Sequence, residues 1–87
     1  MDMLPLYRET NRVYALDDAG KLLAEITFPE TAPGIYCIDH TFVDASLRGQ
    51  GVADQLVRAA LEQIRDNGGT PIATCSYASA WLARHPQ

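Results

Sequence analysis

The chain has 87 residues, a net charge of −4, 47% apolar residues and 21% charged ones. That size predicts a single small globular domain spanning residues 1–87, with too many apolar side chains for a disordered chain. The seven Lys and Arg residues are scattered without a basic patch, which argues against nucleic acid as a partner. No apolar run is long enough to cross a bilayer, so no membrane partner is expected.

The start, Met1-Asp-Met-Leu-Pro-Leu6, carries an acid and no basic region. It does not read as a signal peptide, and the expected location is cytoplasmic. Residues 12–16 read as a first strand, Asp17-Asp-Ala-Gly20 as a tight turn, and residues 22–28 as a second strand, so the pair forms a hairpin. Residues 29–34 hold two prolines and a glycine and read as a loop. Residues 36–43 alternate as a third strand, with Tyr36, Ile38, His40 and Phe42 on one face and Cys37, Asp39, Thr41 and Val43 on the other.

Residues 51–67 carry the strongest helical pattern. Val52, Leu56, Ala60 and Ile64 repeat every fourth position, and Asp54 and Arg58 form an acid-first pair on the exposed side. Asn67-Gly68-Gly69 ends that helix through left-handed backbone. A short strand follows at 71–75, then Ser76 as the cap of a last helix at 77–84. The order is β-β-β-α-β-α. The strands flanking the helical crossover should lie parallel and the earlier ones antiparallel, which gives an α+β fold with a mixed, mostly antiparallel sheet. Two Cys and two His lack the paired spacing of a zinc site, so no metal is expected.

The most informative stretch is Arg48-Gly-Gln-Gly-Val-Ala53, between the third strand and the long helix. Glycines at 49 and 51 strip side chains from a helix start. That leaves bare amides at the positive end of the helix dipole, a setting suited to phosphate. A P-loop would need a Lys-Ser/Thr pair that is absent, and a dinucleotide fingerprint would need a small residue where Asp54 stands.

Arg48-x-x-Gly51-x-Ala53 resembles the pyrophosphate signature, Arg/Gln-x-x-Gly-x-Gly/Ala, of the GNAT acyl-CoA N-acyltransferase superfamily. The chain as a whole is similar to the short branch of that superfamily, the small N-acetyltransferase domain-containing proteins. His40-Thr41, Leu47 to Ala53, Cys75-Ser-Tyr77 and Arg84-His-Pro86 carry the likeness, all in the C-terminal half, and the N-terminal hairpin agrees in pattern alone. The resemblance implies a minimal GNAT-like fold with a splayed pair of parallel strands, and acetyl-CoA as cosubstrate. It places the pyrophosphate on the amides around Gln50 to Asp54, with Arg48 and Gly49 flanking them and Gly51, Val52 and Ala53 within the cradle. Phe42, Val43 and Asp44 would pair with the pantetheine arm like an added strand, and Ser76 joins the contact set. Asp54, an acid beside phosphates, is expected to turn away toward Arg58.

Acyl transfer from a thioester to an amine needs a neutral amine, a polarised carbonyl and a protonated leaving thiolate. His40 suits the base, or alternatively a hydrogen-bonded core position. Cys75, ahead of a helix start, suits a nucleophile relaying the acyl group with His40 as its activator, or a small buried residue that leaves room for the thioester. Tyr77 stands where the superfamily often places the hydroxyl that protonates the thiolate. Cys37 is expected in the core, and Trp81 packs the last helix against the sheet or lines the acyl pocket. Two functions remain open on the sequence. One is acetyl-CoA-dependent acetylation of an unidentified small amine or peptide amine, and the other is non-catalytic binding of CoA or acyl-CoA. A cysteine hydrolase built on Cys75 and His40 lacks an orienting third residue.

Overall fold

A computed structural model describes residues 4–86, and the acid-bearing start at Met1 to Met3 lies outside the described residues. Seven strands and two α-helices follow in chain order. They are β1 (Tyr7–Glu9), β2 (Arg12–Leu16), β3 (Leu22–Thr27), β4 (Glu30–Ala32), β5 (Ile35–Ile38), β6 (His40–Val43), α1 (Val52–Asp66), β7 (Thr70–Ala73) and α2 (Ser76–Arg84). A 3₁₀ turn, Ala45–Leu47, joins β6 to the glycine loop. The strands form an antiparallel sheet in the order β1-β2-β3-β6 and a second sheet in the order β4-β5-β7, in which β5 and β7 run parallel.

Alternation along β2 and β3 buries Val13, Ala15, Ala24 and Ile26 on one face, and α1 lies on that face with Val52, Leu56, Val57, Ala60 and Ile64 turned inward. The opposite face of the four-stranded sheet carries Tyr7, Arg12, Tyr14 and Glu25. Tyr7 stacks on Tyr14 at 5.4 Å between ring centroids, and the Arg12 guanidinium sits 3.9 Å above the Tyr14 ring.

The parallel crossover stands as the pattern predicts. The third strand does not run unbroken over 36–43: it parts at Asp39 into β5 and β6, which belong to different sheets. The Asp39 amide donates to Thr27 O at 3.2 Å and the Thr27 hydroxyl donates to the Asp39 carboxylate, which locks the bend. β4 lies inside the predicted 29–34 loop and β1 precedes the first predicted strand. Both are short and fully exposed, so neither leaves an apolar alternation to read. Helix α1 ends as the glycines require. Gly68 is left-handed at φ 73°, and the Gly69 amide returns to Ile64 O at 2.9 Å. The cap of α2 is Cys75 rather than Ser76. Cys75 has extended backbone and its carbonyl accepts the first helical bond, from Ser79 N at 2.9 Å, so Ser76 falls inside the helix.

The break at Asp39 makes the site. β5 and β7 pair from Ile35 and Thr70 to Ile38 and Ala73, and there β7 stops. β6 continues, bonded only to β3. Its other edge is open, and the two parallel strands diverge beyond Ile38.

Candidate functional site

Along β6, Thr41 and Val43 pair with Ile26 and Ala24 and so face α1, while His40 and Phe42 pair with Thr27 and Glu25 and face the other way. The Asp44 amide donates to Leu23 O at 2.7 Å. By the two-residue period of a ladder, the main-chain groups of Phe42 and His40 also turn toward β3, and those of Thr41 and Val43 turn toward the open edge.

After β6 the chain is shaped by Asp44. Its carboxylate accepts from Ser46 N at 3.0 Å and from Ser46 Oγ at 2.6 Å, and Lys21 Nζ lies 3.5 Å away. The bonds from Ser46, with the Lys21 charge behind them, hold this carboxyl below its ordinary value. Gln50 is also spent on the loop, donating from Nε2 to Ser46 O at 3.3 Å.

Gly49 and Gly51 are left-handed, at φ 82° and 77°, and Gly51 is the N-cap of α1 with no side chain to bond the amides that follow. The first helical bond runs from Gln55 N to Gly51 O at 3.1 Å. Among the described residues, no backbone carbonyl within hydrogen-bond geometry takes the amides of Gly49 through Asp54. A Cβ built on either glycine would meet nothing within 4 Å, so the protein leaves this space open. The glycines therefore do two things: they adopt backbone that other residues resist, and they leave the amides uncovered.

A pocket of about 260 Å³ opens here, lined by Val43, Leu47, Arg48, Gly49, Gly51, Val52, Ala53, Asp54 and Tyr77. It unites the end of β6, the glycine loop, the first turn of α1 and the first turn of α2. Phe42, Asp44, Gln50 and Ser76 are adjacent in sequence but do not line it. Leu47 and Thr41, both within segments that carry the family likeness, are neighbours that the candidate set lacked. The apolar Leu47 one position before Arg48 is the signal for a wall. Arg48 is exposed, with no ion-pair partner among the described residues.

Asp54 turns away from the amides. Oδ2 accepts from Arg58 Nε at 2.7 Å and Oδ1 from Trp81 Nε1 at 2.6 Å. The bond from Trp81 and then that from Arg58 keep this carboxyl below its ordinary value. Trp81, 3% exposed, thus fastens α2 to α1, and its ring stacks on His85 at 3.9 Å.

At the splay, Cys75 Sγ donates to Thr41 Oγ1 at 3.5 Å. Burial pushes the Cys75 thiol up, but the Thr41 hydroxyl, the Ala78 and Tyr77 amides and the Thr41 amide outweigh it and leave the thiol below its ordinary value. Those helix amides act as dipoles, since the thiol makes no cap hydrogen bond to them. Tyr77 stands two residues on, 37% exposed at the pocket wall. His40 lies on the outer face of β6, with Nε2 3.3 Å from Glu25 Oε1 and its side chain 52% exposed, so it is not a core residue. It shares no hydrogen bond with Cys75. The second thiol, Cys37, is buried with Sγ 3.6 Å from Thr74 Oγ1, and both cysteines are free. Among the described residues no cluster of side chains could hold a metal ion, and no helix is long and apolar enough to cross a membrane.

The sequence profile of the GCN5-related N-acetyltransferase family matches residues 12–87. The chain belongs to that family. A GCN5-like protein from Staphylococcus aureus, solved by NMR as a candidate N-acetyltransferase, is 38% identical with a TM-score of 0.76, over 97% of this chain and 82% of that one. The GNAT family N-acetyltransferase YhbS from Escherichia coli, solved in complex with CoA, is 25% identical with a TM-score of 0.63, over 71% of this chain and 38% of that one. A candidate acetyltransferase from Agrobacterium tumefaciens, 20% identical, shares the fold at a TM-score of 0.69, over 85% of this chain and 56% of its own. Among curated proteins no sequence matches this chain. The GNAT fold is thus present in a short form: this member spans most of the S. aureus protein but about half or less of the other two.

Proposed function

We propose that this protein is an acetyl-CoA-dependent N-acetyltransferase, one domain that binds the cosubstrate and passes its acetyl group to an amine. The observation that carries the reading is the row of amides from Gly49 to Asp54 at the positive end of α1, which no backbone carbonyl of the described residues claims, in a loop that lines a pocket with Val43 and Tyr77. Acetyl-CoA, as substrate, supplies an activated thioester. Its pyrophosphate suits the amides of the Arg48-x-x-Gly51-x-Ala53 loop, where charge-assisted bonds are strong and the helix dipole is favourable. Arg48 flanks that charge.

The open edge at Thr41 and Val43 offers N–H and C=O groups to the amides of the pantetheine arm. Leu47 and Val52 supply apolar walls. In this reading Tyr77 gives a proton to the departing thiolate, and His40, beyond β6, receives the proton of the attacking amine. Transfer is direct. A second reading, an acetyl group passing through Cys75, is favoured by the setting of that thiol: Sγ lies 3.5 Å from Thr41 Oγ1 at the head of α2, surroundings that hold it below its ordinary value. Its activation would then come from Thr41 and the α2 amides, because His40 stands on the opposite face of β6 from Thr41.

The test is thiol release from acetyl-CoA with spermidine, lysine methyl ester and an alanyl peptide, followed by mass spectrometry of the quenched enzyme. Turnover that falls at least tenfold in Tyr77→Phe supports the transferase. An acetyl adduct on Cys75, absent in Cys75→Ala together with the activity, selects the relay. CoA binding with no thiol release for any amine supports a non-catalytic binding domain instead.

A further inference from the structure

The outer face of the four-stranded sheet carries a chain of three charged or titratable groups that the site above uses only at its end. Arg12 Nε donates to Glu25 Oε2 at 2.6 Å, and Glu25 Oε1 lies 3.3 Å from His40 Nε2. The three residues stand on adjacent strands, β2, β3 and β6, with Arg12 opposite Thr27 and His40 opposite Thr27 from the other side. Glu25 is the sheltered member, its side chain 18% exposed against 52% for His40. Glu9 Oε1 takes Arg12 Nη1 at 3.2 Å, and the Asp39 carboxylate is bonded to the Thr27 hydroxyl. Glu25 is therefore the only carboxylate in contact with the His40 ring among the described residues.

We propose that Glu25 is a positioning residue for His40: a carboxylate can only accept, so it fixes the proton on Nε2 and leaves Nδ1 as the atom that takes the proton of the incoming amine. This rests on the transferase reading above. As the amine nitrogen bonds to the acetyl carbon, the C–S bond breaks and its electron pair leaves on sulfur. The nitrogen proton passes to His40 Nδ1, and the thiolate takes its proton from Tyr77, which solvent restores. His40 stands one residue from Thr41 on the far side of β6, so the amine approaches from the face opposite α1. Arg12 holds the other carboxylate oxygen, which stops Glu25 from rotating away.

The tautomer logic gives a sharp test. In Glu25→Gln one carboxylate oxygen becomes an NH₂ group. Arg12, a donor, claims the amide oxygen, so the NH₂ faces His40 and needs an acceptor at Nε2. The proton is driven to Nδ1, and the base is lost. Long-range ¹H–¹⁵N correlation spectra of the neutral imidazoles should show His40 as the Nε2–H tautomer in the native chain and as the Nδ1–H tautomer in Glu25→Gln, with the His85 signals unmoved. With the best of the three amines, kcat should fall about 10²-fold or more while the KM for acetyl-CoA stays put. Arg12→Met leaves both Glu25 oxygens as acceptors but unpins the carboxylate, so it should keep the Nε2–H tautomer while kcat falls by less than in Glu25→Gln.

An Nδ1–H tautomer in the native chain, or no change of tautomer in Glu25→Gln, overturns the proposal. So does a switched tautomer with kcat intact. Should the native chain turn over none of the amines, the transferase reading falls and the proton-acceptor role with it. The spectra would still decide whether Glu25 sets the His40 tautomer.

Discussion

Asp54 joins stability to ligand binding, and its replacement should move the two in opposite directions. In Asp54→Ala, the indole N–H of Trp81, in a residue 3% exposed, loses its acceptor at 2.6 Å. An orphaned buried donor costs about 1–3 kcal/mol. The carboxylate also sits in the first turn of α1, where a negative charge contributes about 0.3–1 kcal/mol. The pair with Arg58 is largely exposed and adds at most about 0.5 kcal/mol. The expected loss is about 2–4 kcal/mol, or roughly 10–25 °C in Tm for a chain of this size. Asp54→Asn keeps an oxygen for Trp81 and should lose only about 1 kcal/mol.

Trp81 is the single tryptophan, so its fluorescence during urea unfolding reads the change directly. The bonds from Trp81 and Arg58 lower the folded carboxyl below its unfolded value. Its contribution is therefore fully present above the unfolded value of about 3.9, and is lost as pH falls through the lower folded one. The gap between native and Asp54→Asn proteins should close in that acid range. At neutral pH, the same Asp54→Asn change removes a like charge beside the bare amides, so CoA should bind about 2–5-fold more tightly. An Asp54→Ala protein within about 0.5 kcal/mol of the native one would refute the account of the α1–α2 tie.

Gly69→Ala should be strongly destabilising, because a Cβ there would stand 2.4 Å from the buried Tyr36 ring; a loss below about 1 kcal/mol in urea unfolding would mean the ring moves aside freely. Iodoacetamide at neutral pH should alkylate Cys75 well before Cys37, which is 6% exposed, and CoA should slow the reaction at Cys75. Equal labelling of the two thiols, read by peptide mass spectrometry, would contradict the environment described for Cys75.

The helix and the glycine loop were legible because their signals are local. The four-residue repeat from Val52 to Ile64 and the glycines at 49 and 51 act through near neighbours on the chain. The parting of the third strand was not legible. Alternation from Tyr36 to Val43 continues through Asp39 while the pairing partner changes from β7 to β3, and periodicity carries no information about partners. The same gap separated His40 from Cys75: alternation put His40 and Thr41 on opposite faces of β6, but nothing in the sequence said that Cys75 meets the Thr41 side. Cys37 was expected in the core and is buried there, since β5 is the central strand of its sheet. Glu25 drew no attention in the sequence, since its role depends on Arg12 and His40 meeting it across three strands.

The central claim is that main-chain amides at the start of α1 grip a diphosphate. Calorimetry with CoA and with pantetheine, which lacks the diphosphate, puts it to trial. Charge-assisted hydrogen bonds of about 1.5–3 kcal/mol should make CoA bind at least tenfold more tightly than pantetheine, with inorganic pyrophosphate competing. Equal affinity for the two, or no binding of CoA at millimolar concentration, would contradict it.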